Sequence, residues 1–235
     1  MSFIRKVLEQ QDYLINDKPF VIEKAIDDAS KYLSWDDVEY CLNFPSKYTF
    51  ECISHQTQTK INYSQIKPFW NHRYVPNKRE LFDIVRDGHT LTIANYGEHK
   101  ENVNSLCKSL EDTFSVTADI HVYCGYDTQS KSFRIHCDYP ANFIVQCEGT
   151  TNWKVYNNKL SNLLVLNPLH RIIEHDELEV LIDVDLKPGD VLYIPSRHYH
   201  CATPSEKRLS MSICCVSLIN NIEKLDRQMY SLGGT

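Results

Sequence analysis

The sequence predicts a mainly β chain in which an α/β cap region precedes a β barrel. From residue 115 onward nearly every apolar segment is short, rich in Val, Ile, Phe and Tyr, and bounded by turn residues, as barrel strands are. Before that point helical and extended patterns alternate. Lys187-Pro188-Gly189-Asp190, a turn signature, runs directly into the strand-like Val191-Leu192-Tyr193-Ile194. The expected organisation is a single domain, with the cap region over 1–114, the barrel over 115–218 and a short tail over 219–235.

In the cap region, Asn16-Asp17-Lys18-Pro19 leads into Phe20-Val21-Ile22, an expected edge strand. Ser34 reads as an N-cap, and Asp36 and Asp37 place negative charge where the helix dipole is positive, so a helix runs on through Leu42. Residues 48–54 are strand-like and the largely polar 55–64 is an expected loop. Leu81, Phe82, Ile84 and Val85 recur at helical spacing within 78–87, and Gly88 ends that helix because it tolerates a positive φ. Residues 89–96 alternate like a strand and 102–114 return to helix. Barrel strands are expected at 116–123, 132–138, 141–148, 152–156, 178–184, 191–194 and 208–217, with Tyr139-Pro140 turning the chain after the second. The polar stretches 156–162 and 168–177 form an insert between two of them, and 219–232 is a candidate terminal helix.

At 235 residues and 42% hydrophobic content, the chain can bury a substantial core. Its net charge of −6, with scattered basic residues, provides no overall positive field for phosphates, which disfavours a nucleic-acid partner and suits a basic protein or peptide. Nine cysteines, an odd number without a C-x-x-C pair, point to reduced thiols in the cytoplasm, or in the nucleus of a eukaryotic cell. No apolar run approaches membrane-spanning length, and Met1-Ser2-Phe3-Ile4-Arg5-Lys6 opens no signal-peptide apolar region.

One pattern carries chemistry. His136-Cys137-Asp138 places an imidazole and a carboxylate on the same side of an extended segment, and His198 and His200 follow beyond Tyr193-Ile194-Pro195. Two imidazoles and one carboxylate on one side of an ion leave the opposite positions open, the arrangement of non-haem Fe(II) oxygenases. Taken alone, His-x-Asp is equally the pattern of a solvated strand face, and the surrounding β runs are what favour the metal.

The run from Phe133 through His136, Asp138, Phe143 and Gln146 to Gly149, followed by Trp153-Lys154-Val155-Tyr156, resembles the central segment of the Jumonji C and cupin-like 2-oxoglutarate oxygenases, nearest the ribosomal-oxygenase and asparaginyl-hydroxylase branches. Pro188-Gly189-Asp190-Val191-Leu192-Tyr193-Ile194-Pro195 with His200, and Gly88-His89-Thr90-Leu91-Thr92-Ile93 ahead of a helix, are similar to two further blocks of that family, so the resemblance covers roughly residues 16–217. It implies a double-stranded β-helix with Fe(II) held by His136, Asp138 and His200, the family spacing after the proline selecting His200 over His198. It also implies 2-oxoglutarate and O₂ as co-substrates, hydroxylation of a protein or peptide side chain, and succinate and CO₂ as co-products.

The sequence departs from the family at the co-substrate. Relatives generally carry a Lys two residues before the tryptophan, pairing with the distal carboxylate of 2-oxoglutarate; here the position is Thr151. A neutral hydroxyl bonds a carboxylate about half as strongly as a cation does. Arg208, in Arg208-Leu209-Ser210, resembles the R-x-S motif of other 2-oxoglutarate oxygenases and is the expected replacement, a surface arginine at a strand start being the other reading. Tyr123 resembles the family tyrosine that bonds the same carboxylate, with a core tyrosine as its alternative, and His121 falls beside the co-substrate. Lys154 is a further cation, although strand alternation turns it away from the face of Thr151 and Trp153. Two other classes fit the same residues: a cupin-type metalloenzyme that uses no 2-oxoglutarate, and a non-catalytic barrel that binds a ligand or peptide.

Overall fold

The computed structural model describes residues 2–54, 57–59, 63–66, 73–130, 132–159 and 178–217. Among them the helices are α1 (Phe3–Leu8), α2 (Gln11–Ile15), α3 (Trp35–Asn43), α4 (Lys78–Arg86) and α5 (Glu101–Phe114). The first six strands are β1 (Phe20–Ile22), β2 (Thr49–Ser54), β3 (Thr57–Thr59), β4 (Tyr63–Ile66), β5 (Arg73–Pro76) and β6 (Thr90–Ala94). The barrel strands are β7 (Val116–Gly125), β8 (His136–Cys137), β9 (Ala141–Glu148), β10 (Thr151–Lys159), β11 (Val180–Leu186), β12 (Val191–Ile194), β13 (His198–Pro204) and β14 (Arg208–Ser217).

The barrel strands divide between two antiparallel sheets. A major sheet runs β1-β12-β9-β14-β7-β6-β2-β3 and a minor sheet runs β11-β10-β13-β8. The chain passes back and forth between them from β7 to β14, which is the double-stranded β-helix that the sequence resemblance implies. Strands β1, β6, β2 and β3 lengthen the major sheet at both sides, so the N-terminal half is built into that sheet as well as over it.

Strand alternation then makes two cores on the major sheet, and a smaller third cluster of Ile135, Cys137, Tyr156 and Tyr199 lies at the minor sheet. On β7, β9, β12 and β14 one set of side chains, including Val122, Val145, Tyr193, Met211 and Ile213, joins Val7, Val38, Val103 and Leu110 of the helices in the larger core outside the barrel. Phe3 packs edge-on against Phe143 with ring centroids 6.0 Å apart, and Phe20 stacks on Tyr193 at 5.0 Å. The alternate set points between the sheets, where Ile144, Leu192 and Ile194 of the major sheet meet Trp153, Val155, Leu186 and Ala202 of the minor one.

A polar knot ties the helices to the sheet. Asp37 completes a capping box with Ser34, and it also accepts His99 Nε2 at 3.0 Å and Lys100 Nζ at 2.7 Å. The other face of the imidazole is used too: His99 Nδ1 bonds the Tyr48 hydroxyl at 2.8 Å, and the ring stacks on Tyr96 at 4.5 Å. Burial opposes ionisation of Asp37, but the hydrogen bonds from Lys100, His99 and Ser34 together outweigh it and hold the carboxyl below its ordinary range.

Several expectations need correction. The loop expected over 55–64 contains β3 and the start of β4, whose Thr-, Gln- and Ser-rich sequences hide strands that earn their place by pairing. The strand expected over 132–138 is reduced to His136 and Cys137, and the Arg134 carbonyl just before it accepts from His136 Nδ1 at 2.8 Å. Helices α1 and α2 had no clear sequence signal; α1 buries only Phe3 and Val7. Most of the expected insert, residues 160–177, and the candidate helix over 219–232 lie outside the described residues.

Gly189 does need its glycine. Its φ is +92° and a Cβ there would strike the Ile26 carbonyl, while Asp190 closes the turn by accepting from the backbone N–H of Lys24 at 2.8 Å and of Lys187 at 2.9 Å.

Candidate metal centre

His200 lies inside β13, where the sequence placed it just past a strand, and the register sets it directly opposite His136 on β8. That opposition brings the two imidazoles to a centroid distance of 4.4 Å. Asp138, just beyond β8, lies between them: its carboxylate oxygens are 3.8 Å from His136 Nε2 and 3.6 Å from His200 Nε2. One ligand atom from each of the three lies within 4.8 Å of the others.

The supporting bonds set the chemistry of this donor set. His136 Nδ1 faces the Arg134 carbonyl at 2.8 Å and His200 Nδ1 faces the His198 carbonyl at 2.9 Å. A carbonyl can only accept, so each Nδ1 carries a proton, and in the neutral ring this leaves Nε2, the nitrogen facing Asp138, as the atom able to ligate a metal. Asn142 Nδ2 donates to Asp138 Oδ2 at 3.2 Å and steadies the carboxylate. Atoms bound to a divalent ion at about 2.1 Å sit about 3.0–3.4 Å apart, so closing this triad on a metal draws the two imidazole–carboxylate gaps of 3.8 and 3.6 Å, and ligand atoms now within 4.8 Å of one another, somewhat closer. His198 supplies the backbone carbonyl that orients His200, and the ligand atoms that converge are those of His136, Asp138 and His200.

The inner face of the major sheet continues from the triad as a polar strip. Ser212 Oγ donates to Asn142 Oδ1 at 3.1 Å, and Ser210 Oγ donates to Gln146 Oε1 at 2.9 Å. At its end is Arg208, on the same face as Ser210 and 1% exposed. Its Nη2 reaches Thr90 Oγ1 at 3.4 Å, its Nε has no partner, and among the described residues no carboxylate pairs with it. Desolvation lowers its pKa to about 10. Tyr123, the cross-strand neighbour of Ser210, feels both Asp138 and Arg208; burial, then Asp138, pushes its hydroxyl pKa up, and Arg208 opposes them.

The minor sheet contributes two more unanswered groups. Thr151 Oγ1 and Trp153 Nε1 are buried without hydrogen-bond partners on the inner face of β10, and the Trp153 ring lies 6.1 Å from that of His200. Sequence reasoning singled out Thr151 but missed Trp153, whose signal was its place on the same strand face. A buried cation and two neutral polar groups left unanswered are costly unless something binds there, and an anion able to accept from them fits.

Lys154 is a correction. It points to the outside of the barrel, where it pairs with Asp183 at 3.4 Å, because it alternates with Trp153 along β10. His121 and Tyr123 line a cavity of about 410 Å³ beside the triad, together with Glu51, Phe133, Asp138, Tyr139 and Cys214.

Together, the two sheets and the two-histidine, one-carboxylate site define a double-stranded β-helix protein with a candidate metal centre inside the barrel. The JmjC domain family matches residues 96–223, so the chain belongs to that family. A bifunctional lysine-specific demethylase and histidyl-hydroxylase NO66 of Drosophila mojavensis is 27% identical over 134 residues, 57% of this chain and 15% of the relative. Ribosomal oxygenase 1 of Danio rerio is 24% identical over 204 residues, 85% of this chain and 35% of the relative. The chain therefore spans between about a seventh and a third of the length of these relatives. Among solved structures, the Escherichia coli ribosomal oxygenase YcfD in complex with cobalt and 2-oxoglutarate superposes with a TM-score of 0.60 at 20% identity, over 96% of this chain and 58% of that one. A structure of the same protein with cobalt and succinic acid gives a TM-score of 0.62.

Proposed function

We propose that this chain is an Fe(II)- and 2-oxoglutarate-dependent oxygenase that hydroxylates a side chain of a protein or peptide. The observation that carries the reading is the convergence of His136 Nε2, His200 Nε2 and an Asp138 oxygen, with both Nδ1 atoms tied to carbonyls. When bound, the metal with 2-oxoglutarate and O₂ supplies the oxidising power, one oxygen atom entering the substrate C–H bond as the co-substrate becomes succinate and CO₂.

The chain's own residues do the rest. His136, His200 and Asp138 hold the ion from one side, and Asn142 keeps the carboxylate turned toward it. Arg208, with Tyr123 near it and Thr151 on the inner face of β10, takes the distal carboxylate. The position that relatives give to lysine is neutral here, and the buried guanidinium on β14 brings the charge from another strand. The apolar packing of Ile144, Trp153, Val155 and Leu192 keeps water from the inner face. The cavity beside the triad has carboxylates at Glu51 and Asp138 and, among the described residues, no Lys or Arg in its lining, which supports a basic substrate, as the net charge of −6 does.

The test is turnover. Purified protein with Fe(II), 2-oxoglutarate and O₂ should form succinate, Asp138→Ala should not, and a captured substrate should gain the mass of one oxygen atom. No succinate above the metal-free control, with no oxygenated product, would overturn the proposal.

A further inference from the structure

We propose that a cation–aromatic clamp outside the barrel positions Arg208 inside it, which makes Lys207 a positioning residue for the anion; the proposal rests on the reading of Arg208 as that anion's partner. Three strand ends meet at Arg208, each pairing a residue at the arginine with a chain neighbour: Gly125 with Tyr126, Gly149, just past β9, with Glu148, and Arg208 itself with Lys207.

Inside, the glycines make the room. A Cβ on Gly125 would lie 3.0 Å from Arg208 Cγ and 3.2 Å from its Nε, so the arginine stem lies flat over that glycine. Gly149, with φ +68°, would strike the Lys207 carbonyl with a Cβ that also lay 3.2 Å from Arg208 Cα. Gln146 Nε2 braces the same turn, donating to the carbonyls of Glu148 at 2.9 Å and Gly149 at 3.1 Å.

Outside, the three neighbours meet Trp35. Lys207 Nζ lies 4.3 Å from the Trp35 ring centroid and 5.8 Å from that of Tyr126, and 4.0 Å from Glu148 Oε1. Trp35 Nε1 donates to the same Glu148 oxygen at 2.7 Å, and its ring meets Tyr126 edge-on at 6.2 Å. Trp35 is the first residue of α3, which the Ser34–Asp37 capping box anchors. The guanidinium itself has one long bond, to Thr90, and nothing else among the described residues to hold it. Its placement therefore depends on the backbone at 207–208, which the clamp holds from outside. Fixing a binding group before its ligand arrives lowers the entropy lost on binding.

The experiment is an anaerobic calorimetric titration of the Fe(II)-loaded protein with 2-oxoglutarate. Lys207→Ala, at an exposed side chain, should weaken 2-oxoglutarate binding ~3- to 10-fold with Fe(II) affinity unchanged, and Lys207→Arg, which keeps a cation over the rings, should restore it. In the metal-free protein the Arg208 Nε–H should exchange faster in Lys207→Ala, read by NMR. Unchanged 2-oxoglutarate affinity, a parallel fall in Fe(II) affinity, no recovery with arginine, or unchanged exchange each overturns the clamp. If Arg208→Ala itself leaves 2-oxoglutarate affinity unaltered, it is the underlying reading of Arg208 that fails.

Discussion

The knot around His99 and the polar strip ending at Arg208 both bury charge, and they differ in what answers it. In the knot, Asp37, His99, Lys100, Tyr48 and Ser34 satisfy one another within hydrogen-bond distance. Around the strip, Arg208 Nε and, on the facing β10, Thr151 Oγ1 and Trp153 Nε1 have no hydrogen-bond partner among the described residues, and one ligand atom each from His136, His200 and Asp138 converges within 4.8 Å. A buried polar cluster closed on itself is a structural device, whereas one left open has a ligand to meet. The histidine–carboxylate pairs look alike at the level of sequence: His99 and Asp37 are 3.0 Å apart, His200 and Asp138 3.6 Å. In space they differ: Asp37 is also bonded by Lys100 and His99 Nδ1 meets the Tyr48 hydroxyl, whereas Asp138 faces a second imidazole and His200 Nδ1 meets a backbone carbonyl.

That contrast can be broken experimentally. The largest effect is expected from His200→Ala, which removes one of three ligands and should weaken Fe(II) binding more than ~100-fold, beyond the loss usual for a supporting residue; calorimetry with Fe(II) under anaerobic conditions checks it. Arg208→Ala should weaken 2-oxoglutarate ~10- to 100-fold, the range for a hydrogen bond to a charged group, and adding Thr151→Lys should recover part of the loss by returning the charge to β10.

Changes in the knot should act on stability alone. Asp37→Asn should cost about 2 kcal/mol in denaturant unfolding and leave metal affinity as it was. The sign with pH follows from a carboxyl held below its ordinary 3.8: its stabilisation is complete above that value and is lost as the pH falls through the lower folded-state value. The acid limb of the wild-type stability curve below pH 3.8 should therefore be steeper than that of Asp37→Asn. The smallest effect belongs to Thr151→Val, which gives up one neutral hydrogen bond and should weaken 2-oxoglutarate ~2- to 5-fold in the same titration.

Much of the barrel was legible in the sequence, because alternating apolar runs and the Pro188-Gly189-Asp190 turn report directly on strands: β9, β12 and β14 have the bounds expected of them. The ligands were legible for a related reason, since His136 and Asp138 share a strand face and His200 stands at a fixed step after Pro195. What stayed hidden is nonlocal. Nothing near His200 says that it pairs across with His136, and a strand that opens on arginine reads the same whether the arginine is solvated or buried. Arg208 is buried because Gly125 and Gly149, distant in sequence, leave out the side chains that would displace it. The unanswered Trp153 N–H is not legible in the sequence, because an aromatic residue on a barrel strand already has a sufficient explanation in packing.

The most direct measurement is anaerobic titration of Fe(II)-loaded protein with 2-oxoglutarate, followed by visible absorption, for the wild type and Arg208→Ala. The wild type should develop a weak charge-transfer band that saturates with 2-oxoglutarate, and Arg208→Ala should require ~10- to 100-fold more to reach the same amplitude. No band in the wild type, or the same saturation curve in both proteins, would contradict a barrel whose open charges are there to receive this co-substrate.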